Sequence, residues 1–563
     1  MENKEYMLID GNPIEINGEK NLLELIRKAG IEMPTFCYHS ELSVYGACRM
    51  CMVENSHGGM EAACSTVPKA GMEIYTNTER LHKHRKMILE LLLANHCRDC
   101  TTCQKNGKCR LQELASLFGI DSIRFKNLKP EPKLDTSSVC IVRDTHKCIL
   151  CGDCVRMCNE IQNVGAIDFA NRGSKMIIAT AFDEPIANSP CVGCGQCAAV
   201  CPTGAIVIRK DTGRVWRELN DKSTKVVAQV APAVRVAVAK EFGLPENENS
   251  MGRITSALRR LGFDEVYDTA TGADLTVLEE ANEFISRIEE DGTLPLFTSC
   301  CPAWIQYCEK NHPELMQNVS TCKSPMQMFS SVIKAHYASS SRRVVSVAVM
   351  PCTAKKFECA RDEFKHDGIP DTDYVITTQE LIQMIHKAGL VFDELEPEAV
   401  DSAFSTCTGA GVIFGVTGGV TEAVLRRIST DKSAQALRSI AFNEVRGMKG
   451  VKETTVPFGD KEVRIAIVSG LKNAENIIKA IENGEHYDFV EVMACPGGCV
   501  AGGGQPFGTL ATKMNRGKAL YSADKMLSIK RSEENPLMLN LYNGVLKGRV
   551  HELLHVHYSK RGE

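Results

Sequence analysis

The chain has 563 residues, of which 44% are hydrophobic and 24% charged, with a formal net charge of -4 and 26 cysteines. This length predicts about three to five domains, and the near balance of charge without a basic stripe excludes a typical nucleic-acid partner. No run reaches about 18 apolar residues and charges interrupt the amino terminus, so we expect a cytoplasmic protein with no membrane span. Many cysteines in a reducing compartment indicate metal binding rather than disulfides.

A first set of four cysteines lies within residues 1–80. Cys37, Cys48, Cys51 and Cys64 are separated by ten, two and twelve residues, which departs from the C-x4-C-x2-C spacing of plant-type ferredoxins. The set resembles instead the 2Fe-2S domain at the start of hydrogenases and of the large iron-sulfur subunit of respiratory complex I. We therefore expect a ferredoxin-like β-grasp domain over residues 1–80 with one 2Fe-2S cluster, and a zinc site is the alternative.

The segment 81–125 carries a second set with the spacing H-x3-C-x2-C-x5-C. This is similar to the His-ligated 4Fe-4S site of the same two families. Cys97 departs from the pattern because it places a thiolate beside the expected imidazole, yet it lacks the three-residue reach to the next cysteine. We therefore expect a His/Cys-ligated 4Fe-4S domain over residues 81–125, with the ligands His96, Cys100, Cys103 and Cys109.

An internal repeat follows, because KCILCGDCVRMCNE (147–160) and PCVGCGQCAAVCPTG (190–204) share the spacing C-x2-C-x2-C-x3-C. In two-cluster bacterial ferredoxins, three cysteines of such a run ligate one cubane and the fourth ligates the other. The repeat predicts a two-4Fe-4S ferredoxin domain over residues 126–210, entered by a polar connector (126–144) and followed by a charged, turn-rich boundary (208–223). One cluster would be held by Cys148, Cys151, Cys154 and Cys201, and its partner by Cys158, Cys191, Cys194 and Cys197.

The rest of the chain is predicted to be α/β. Short β-branched runs (225–230, 344–349 and 463–468) alternate with helical stretches (273–289 and 471–482). Three strands are predicted to end in the cysteine-bearing loops TSCCPAW, MPCTAKKFE and EVMACPGGCVAGGGQP. Ligands of open α/β sheets bind at the carboxyl ends of strands, so we expect these loops to converge on one buried site. The fold class is thus an α/β catalytic domain over 211–563, ending in a helical packing tail, preceded by small α+β ferredoxin-like iron-sulfur domains.

These three loops resemble, nearly letter for letter, the signature loops of the FeFe (iron-only) hydrogenases, and the resemblance extends to the order of the upstream clusters. It implies the reversible interconversion of hydrogen with protons and electrons at an H-cluster, a 4Fe-4S cubane bridged through one cysteine to a diiron unit with carbonyl, cyanide and dithiolate ligands. Spacing alone would predict only a fifth cysteine-ligated site. Carried over by position, the cubane ligands would be Cys301, Cys352, Cys495 and the bridging Cys499.

The resemblance also implies the residues of the pocket. Lys355 matches a lysine that hydrogen-bonds a cyanide, and Ser324 and the backbone near Pro232 and Ala233 would serve the other ligands. Outside this family, such a lysine is usually solvated and buried methionines are usually core residues. Ala233 stands where some relatives carry a serine, and Met326 where others carry glutamine. A soft, dry wall would be formed by Met350, Met493 and Phe414.

A proton route is implied in the same way. Cys300 matches the family's proton-transfer thiol. The helical stretch 273–289 places Glu280 and Glu283 three residues apart on one face, with Arg287 four residues further, and Ser320 completes the family's relay. A solvated, salt-bridged helix face is the simpler alternative.

The predicted protein is a ferredoxin hydrogenase with one 2Fe-2S cluster, three 4Fe-4S clusters and an H-cluster, which requires maturation proteins and exchanges electrons with ferredoxin or a similar carrier. One alternative is the catalytic subunit of an NAD(P)-linked or electron-bifurcating complex. Its flavin and NAD would need other subunits, because no G-x-G-x-x-G sequence stands before a helix here. A hydrogen sensor or cluster-assembly protein is disfavoured by the presence of Cys300.

Overall fold

In the computed structural model, small α+β units precede a larger α/β unit, which confirms the predicted fold class. The structure describes residues 5–558 except 247, 430, 432, 434, 436–438, 441–444 and 460. The first four and last five residues of the predicted domains lie outside the described residues, whereas all the predicted site residues lie within them. No helix in the described part of the chain is long and apolar enough to cross a membrane.

The first unit is a five-stranded mixed sheet with one helix, Leu22–Lys28. Asn21 caps this helix by accepting a hydrogen bond from the Glu24 amide. The helix buries its leucines and its isoleucine against the sheet, which also contributes Cys51 and Cys64 to the same core. The strands lie in the order Asn12–Glu15, Tyr6–Ile9, Glu73–Tyr75, Met52–Asn55, Met60–Ala62.

Two helices, Glu79–Ala94 and Arg110–Leu117, form the second unit and flank the loop with His96. Thr78 caps the first helix by accepting from the Leu81 amide. Arg85 on this helix is buried and donates to the carbonyl oxygens of residues 50, 52 and 76. The second unit is thereby fixed to the first.

The duplicated unit contains a three-stranded sheet (Leu134–Asp135, Ile141–Asp144 and Ile206–Ile208) and a hairpin (Asp168–Ala170 with Ile177–Ala179). The repeat is visible in the backbone, because Gly152 and Gly195 each take a positive φ, 78° and 71°, directly before a short helix. Residues 134–144, predicted as connector, in fact supply two strands of this sheet. The short helices are Asp153–Arg156 and Gln196–Val200.

The predicted boundary at residues 208–223 is mostly a helix, Thr212–Asn220. Val215, Trp216 and Leu219 lie on one face of it and pack on the core of the α/β unit. The prediction of a turn-rich segment was wrong because five polar or charged residues and a glycine surround these three apolar side chains in DTGRVWREL. The helical spacing of the apolar residues therefore decides the secondary structure of this segment, despite its polar composition.

Two separate four-stranded sheets build the α/β unit. The first is all parallel and its central strands are buried on both faces; the second ends in an antiparallel strand. The predicted strands are present, but the cysteine loops leave from both sheets rather than from one. The first sheet has the order Glu265–Asp268, Thr224–Val230, Arg343–Met350, Tyr374–Thr377, and the second Leu296–Phe297, Phe489–Met493, Lys461–Ser469, Val451–Phe458.

Helices cover these sheets, and the longest of them is Ala270–Glu289, called the long helix below. The carboxyl-terminal segment contributes Met538, Leu541 and Leu554 to the same hydrophobic core as Leu275 of the long helix, so it packs as predicted. Besides Thr212–Asn220, the other α-helices in the described part of this unit are Pro232–Arg235, Met251–Arg260, Pro302–Asn311, Pro325–His336, Ala354–Cys359, Thr378–Lys387, Gly409–Val412, Gly419–Ile428, Leu471–Glu482, Leu510–Met526, Pro536–Asn543 and Val550–Leu554.

Candidate active site and cluster sites

A cavity of about 90 Å³, called the catalytic cavity below, lies at the carboxyl ends of strands from both sheets. Cys352 reaches it from the strand ending at Met350, and Cys301 from the strand ending at Phe297. Burial raises the pKa of the Cys352 thiol to about 11. The cavity thus brings together the four cysteines predicted to hold a cubane, Cys301, Cys352, Cys495 and Cys499.

Glycines allow the loop after Met493 to wrap closely around this cavity. Gly498 has φ 89°, and a Cβ there would lie 2.5 Å from the Thr417 amide nitrogen. A Cβ on Gly502 would collide with the carbonyl oxygen of Pro351. A side chain at either position would push this cysteine loop away from the first sheet.

The wall of the cavity is mostly apolar. Ser324 is not among its lining residues; its hydroxyl is fully buried directly before the lining residue Pro325 and has no hydrogen-bond partner. A buried hydroxyl without a partner is costly, which fits a polar group bound nearby. The predicted wall residues all line the cavity: Pro232, Ala233, Met350, Met493 and Phe414, together with Met326.

Lys355 is the one lysine among the residues that line the catalytic cavity. Its Nζ donates to the Cys300 carbonyl oxygen at 3.1 Å and to a Glu358 carboxylate oxygen at 2.8 Å. Burial opposes its charge, but Glu358 raises the pKa of Lys355 above its usual value. The side chain therefore presents an ammonium group to the cavity.

Behind the cavity lies Glu280 on the long helix, fully buried. Burial, and then the neighbouring Glu283, raise its pKa to about 8. The Ser299 amide and the Ser320 hydroxyl offset part of this shift, but neither carboxyl oxygen of Glu280 has a hydrogen-bond partner in this structure. Burial, and then the charge of Glu280, raise the pKa of the Cys300 thiol.

Glu283, on the same helix as Glu280, lies closer to the protein surface. The Ser320 hydroxyl donates to its Oε2 at 2.7 Å, and Arg287 donates to its Oε1 at 2.6 Å. The Glu283 side chain is 13% exposed and that of Arg287 is 14% exposed. Of the five predicted relay residues, the structure joins Ser320, Glu283 and Arg287 by hydrogen bonds. Cys300 and Glu280 lie near enough to act on each other's surroundings electrostatically, but Glu280 makes no hydrogen bond to either neighbour.

The duplicated unit contains two separate cysteine-lined cavities. The first cubane site is lined by Cys148, Cys151, Cys154 and Cys201. The second cubane site is lined by Cys158, Cys191, Cys194 and Cys197. The structure thus groups the eight thiols in the two interleaved sets that the repeat predicts.

The second cubane site directly adjoins the catalytic cavity. Thr353 Oγ1 donates to the Gly193 carbonyl at 2.7 Å, and Gln196 donates to the Ala501 carbonyl at 2.9 Å. A Cβ on Gly503 would collide with the Cys194 carbonyl oxygen. Loops of the two sites are therefore in backbone contact.

The first cubane site adjoins both amino-terminal cysteine sets. Arg156, one helix turn beyond the site, donates to the Cys37 carbonyl at 2.9 Å. On another side, the Arg110 amide donates to the Pro202 carbonyl at 3.1 Å, and a Cβ on Gly204 would lie 2.6 Å from Cys103 Sγ. Two branches thus meet at this site.

In the first branch, the four thiols of Cys37, Cys48, Cys51 and Cys64 act on one another's pKa. The Cys48 amide also donates to Cys37 Sγ at 3.3 Å. A side-chain interaction with Cys37 lowers the pKa of Cys48 to about 6. The structure therefore brings this set together.

In the second branch, Nε2 of His96 is buried and has no partner, while the Arg98 amide donates to Nδ1 at 3.0 Å. Burial lowers the pKa of His96 to about 4, so the imidazole is neutral, as a metal ligand must be. Cys97 is the next residue along the chain, and its Sγ lies 3.9 Å from His96 Nδ1. Burial raises the pKa of the Cys109 thiol, and the nearby Cys103 and Cys100 thiols raise it further.

Within the described residues, no three or more His, Cys, Asp or Glu side chains converge closely enough to hold a single metal ion. An iron-sulfur cluster spreads its protein ligands around a core of several iron and sulfide atoms. Such larger groups fit three features of these sites: buried thiols with raised pKa, the partnerless His96 nitrogen and the glycine-lined cavity walls.

Several residues in these contacts were not predicted. Thr269, Ala273 and Pro325 also line the catalytic cavity, and nothing in their sequence context distinguishes them. Glu358 was within a quoted motif, and its i, i+3 spacing from Lys355 was a signal for an ion pair. Gln196 gave no signal, because its acceptor lies 305 residues away.

Family models match the chain in the order of these units. They describe a 2Fe-2S iron-sulfur cluster binding domain (residues 6–79), an NADH-ubiquinone oxidoreductase-G iron-sulfur binding region (85–124) and a 4Fe-4S dicluster domain (147–205). Iron-sulfur units leading to a cysteine-lined cavity define an iron-sulfur oxidoreductase. Two further models match, the iron only hydrogenase large subunit, C-terminal domain (224–503) and the iron hydrogenase small subunit (511–561).

The chain belongs to the FeFe hydrogenase family. It is 40% identical to the NADP-reducing hydrogenase subunit HndD of Solidesulfovibrio fructosivorans, over 98% of each chain. It is 35% identical to iron hydrogenase 1 of Clostridium pasteurianum, over 98% of this chain and all of that one. A solved structure of FeFe-hydrogenase HydA1 from Chlamydomonas reinhardtii is 37% identical and covers 62% of this chain and 99% of its own, with a TM-score of 0.53. The predicted hydrogenase class and the presence of 2Fe-2S and 4Fe-4S domains are thus confirmed.

Proposed function

We propose that this hydrogenase interconverts hydrogen with protons and electrons at an H-cluster held by Cys301, Cys352, Cys495 and Cys499. The observation that carries the proposal is the catalytic cavity, in which these four thiols meet beside the buried Cys300. A sensor or assembly role would not need a titratable series leading out of this cavity.

The bound H-cluster would supply the redox-active metal at which hydrogen is cleaved or formed. Around it, Lys355 provides a fixed ammonium, and the Ser324 hydroxyl a donor without another partner. Pro232 and Ala233 bring backbone to the cavity, while Met350, Met493 and Phe414 exclude water.

Protons would pass along the chain's own side chains. Cys300 exchanges a proton with Glu280, which is protonated at neutral pH because its pKa is raised to about 8. The Ser320 hydroxyl lies between Glu280 and Glu283 and hands the proton on, while Arg287 holds the Glu283 carboxylate in place. Hydroxyls and thiols suit this task because each both donates and accepts.

Electrons would leave through the second cubane site, which touches the catalytic cavity, and then through the first cubane site. There the route branches to the 2Fe-2S site and to the His96 site. We assign four domains accordingly, at residues 1–80, 81–125, 126–210 and 211–563, with one 2Fe-2S and three 4Fe-4S clusters ahead of the H-cluster.

Ferredoxin, or a similar small carrier in the cytoplasm, is the proposed electron partner. One observation favours a second candidate, the catalytic subunit of an NAD(P)-linked complex: the relative HndD, matched over almost the whole chain, is named as a subunit of an NADP-reducing hydrogenase. The two candidates share every site described above. They differ in whether other subunits must bring a flavin and NAD(P).

Infrared spectroscopy and iron analysis of anaerobically purified protein test the central proposal. With maturation proteins co-expressed, we expect metal carbonyl and cyanide bands and about 20 irons per chain. Without them, about 18 irons and no hydrogen activity are expected. Stoichiometric zinc in place of any cluster would refute the assignment of that site.

Assays with defined acceptors test the partner. The isolated chain should reduce ferredoxin with hydrogen and should not reduce NAD(P). If affinity purification from the native cells instead recovers stable flavin-containing subunits, and these confer NAD(P) reduction, the second candidate replaces the first.

A further inference from the structure

The carboxyl-terminal segment places a histidine at the outer end of the proton series. The Lys323 amide donates to the Leu554 carbonyl and the Val556 amide to the Thr321 carbonyl, both at 2.8 Å. Between these bonds, Cys322 and His555 form an antiparallel bridge. His555 is therefore fixed by backbone pairing beside the loop that carries Ser320.

Both ring nitrogens of His555 meet polar partners. Nδ1 lies 2.9 Å from Thr321 Oγ1, and Nε2 lies 3.0 Å from Glu279 Oε2. Thr321 in turn donates to Glu283 Oε2, from its amide at 3.0 Å and from its hydroxyl at 3.3 Å. A single hydroxyl thus separates the last carboxylate of the series from the imidazole.

This placement matters because Arg287, which lies at the outer end of the predicted relay and donates to Glu283, is a permanent cation that cannot accept a proton. Imidazole, by contrast, has an ordinary pKa near 6.5 and exchanges protons readily at neutral pH. Glu279 orients the ring through Nε2, and Tyr542 donates to the other oxygen of Glu279. The titratable or charged groups around the ring and its partners are Glu279, Glu283, Cys322, Tyr542, His551 and, beyond Tyr542, Arg427.

We propose that His555 is a second proton-exchange group of the relay, joined to Glu283 through the Thr321 hydroxyl. Outward, protonated Glu283 gives its proton to Thr321 Oγ1 while Thr321 gives its own to His555 Nδ1, which leaves a carboxylate and an imidazolium. The imidazolium then releases one of its two N–H protons to water, since 9% of the side chain is accessible. Inward transfer is the reverse. The proposal rests on the proposed hydrogenase function.

The first test does not depend on hydrogen turnover. In protein expressed without maturation proteins, 15N NMR of labelled histidines should show that replacing Glu279 by Gln shifts the ring-nitrogen resonances of His555, because the carboxylate partner of Nε2 is lost. Thr321→Val should also shift these resonances. If neither variant alters them, His555 is not coupled to these groups and the proposal falls.

The second test measures turnover with a small dye in matured protein. His555→Gln and the isosteric Thr321→Val should each lower turnover about two- to fivefold, since direct exchange of Glu283 with water remains. Added imidazole should restore part of the loss in His555→Gln. The matched control is His557→Gln, an exposed histidine two residues away, which should keep parental turnover.

Infrared bands and the melting temperature show whether reduced turnover comes from slower proton transfer, from a missing cluster or from a destabilised fold. Parental bands and melting temperature with reduced turnover support the proposal, whereas parental turnover in both variants overturns it. If His555→Gln melts early, Thr321→Val and the NMR experiment decide. A parent chain without carbonyl and cyanide bands would refute the hydrogenase proposal, while the NMR experiment would still report on His555.

Discussion

The second cubane site and the catalytic cavity are neighbours, and each has four cysteines proposed to hold a cubane, yet their surroundings differ. Among the described lining residues of the second cubane site there is no carboxylate, lysine or arginine. The catalytic cavity has Lys355 and Cys300 in its wall and Glu280 behind it. A thiol set therefore determines where a cluster is held, whereas the titratable groups determine which site can exchange protons.

The largest effect that tests this difference is expected from Cys300→Ala. Loss of the thiol removes the group between the cavity and Glu280, so hydrogen turnover should fall by about 100-fold or more. Cluster assembly should persist, because Cys300 is not one of the four proposed ligands. EPR and infrared spectra check assembly, and a hydrogen assay with a dye checks turnover.

The control is Cys308→Ala, which removes a buried thiol that lies outside the cavity lining. It should keep turnover within about twofold. Adding Glu280→Gln to Cys300→Ala should cause little further loss, because both residues act in one series path. Near-parental turnover in Cys300→Ala would contradict the proposed proton relay. It would also contradict the functional difference that we infer between the catalytic cavity and the second cubane site.

A second prediction concerns the amino-terminal branches, which carry only electrons in this proposal. Removing residues 1–125 deletes the 2Fe-2S and His96 sites but leaves both cubane sites of the duplicated unit. Exchange with ferredoxin should fall about tenfold, because the surface entry points are lost, while activity with a small dye should stay within about twofold. Equal losses with both donors would contradict the branched entry.

The third prediction follows from the raised pKa of Glu280. Burial favours the neutral carboxyl, which is therefore present at pH 7 and is lost as the pH rises through about 8. An infrared band of a protonated carboxyl should disappear over that range and be absent in Glu280→Gln. Hydrogen evolution should fall about twofold by pH 8 as the proton-delivering form is depleted. A carboxyl band that has already vanished at pH 5 would contradict it.

Part of this architecture could be predicted from local spacing. The two interleaved thiol sets follow from the fixed C-x2-C-x2-C-x3-C run, and the carboxyl ends of β-branched strands located the loops with Cys301, Cys352 and Cys495. Glu280 and Glu283 share a helix face because three residues are nearly one turn. In each case the sequence period itself sets the geometry.

Other features depend on contacts between distant segments, which a single sequence does not encode. The catalytic cavity lies between two sheets, and nothing local distinguishes strands of one sheet from those of the other. Thr353 reaches Gly193 across 160 residues, and His555 reaches Glu279 across 276. The helix Thr212–Asn220 was missed for another reason, because its polar face dominates its composition.

The smallest effect is expected from Ser324→Ala, which tests whether the cavity wall donates a hydrogen bond to a bound group. The Ser324 hydroxyl is fully buried without a partner, so its removal should not destabilise the fold by more than about 1 kcal/mol. If the hydroxyl donates to a ligand of the H-cluster, one cyanide band should shift and turnover should fall by about threefold or less. Ser250→Ala is the matched control, because that hydroxyl is also buried without a partner but belongs to a residue outside the cavity lining. Ser250→Ala should leave every band in place. Identical spectra for both variants would show that only Lys355 and the backbone make polar contacts to a bound group in the cavity. In that respect the cavity wall would resemble the walls of the cubane sites more than we infer.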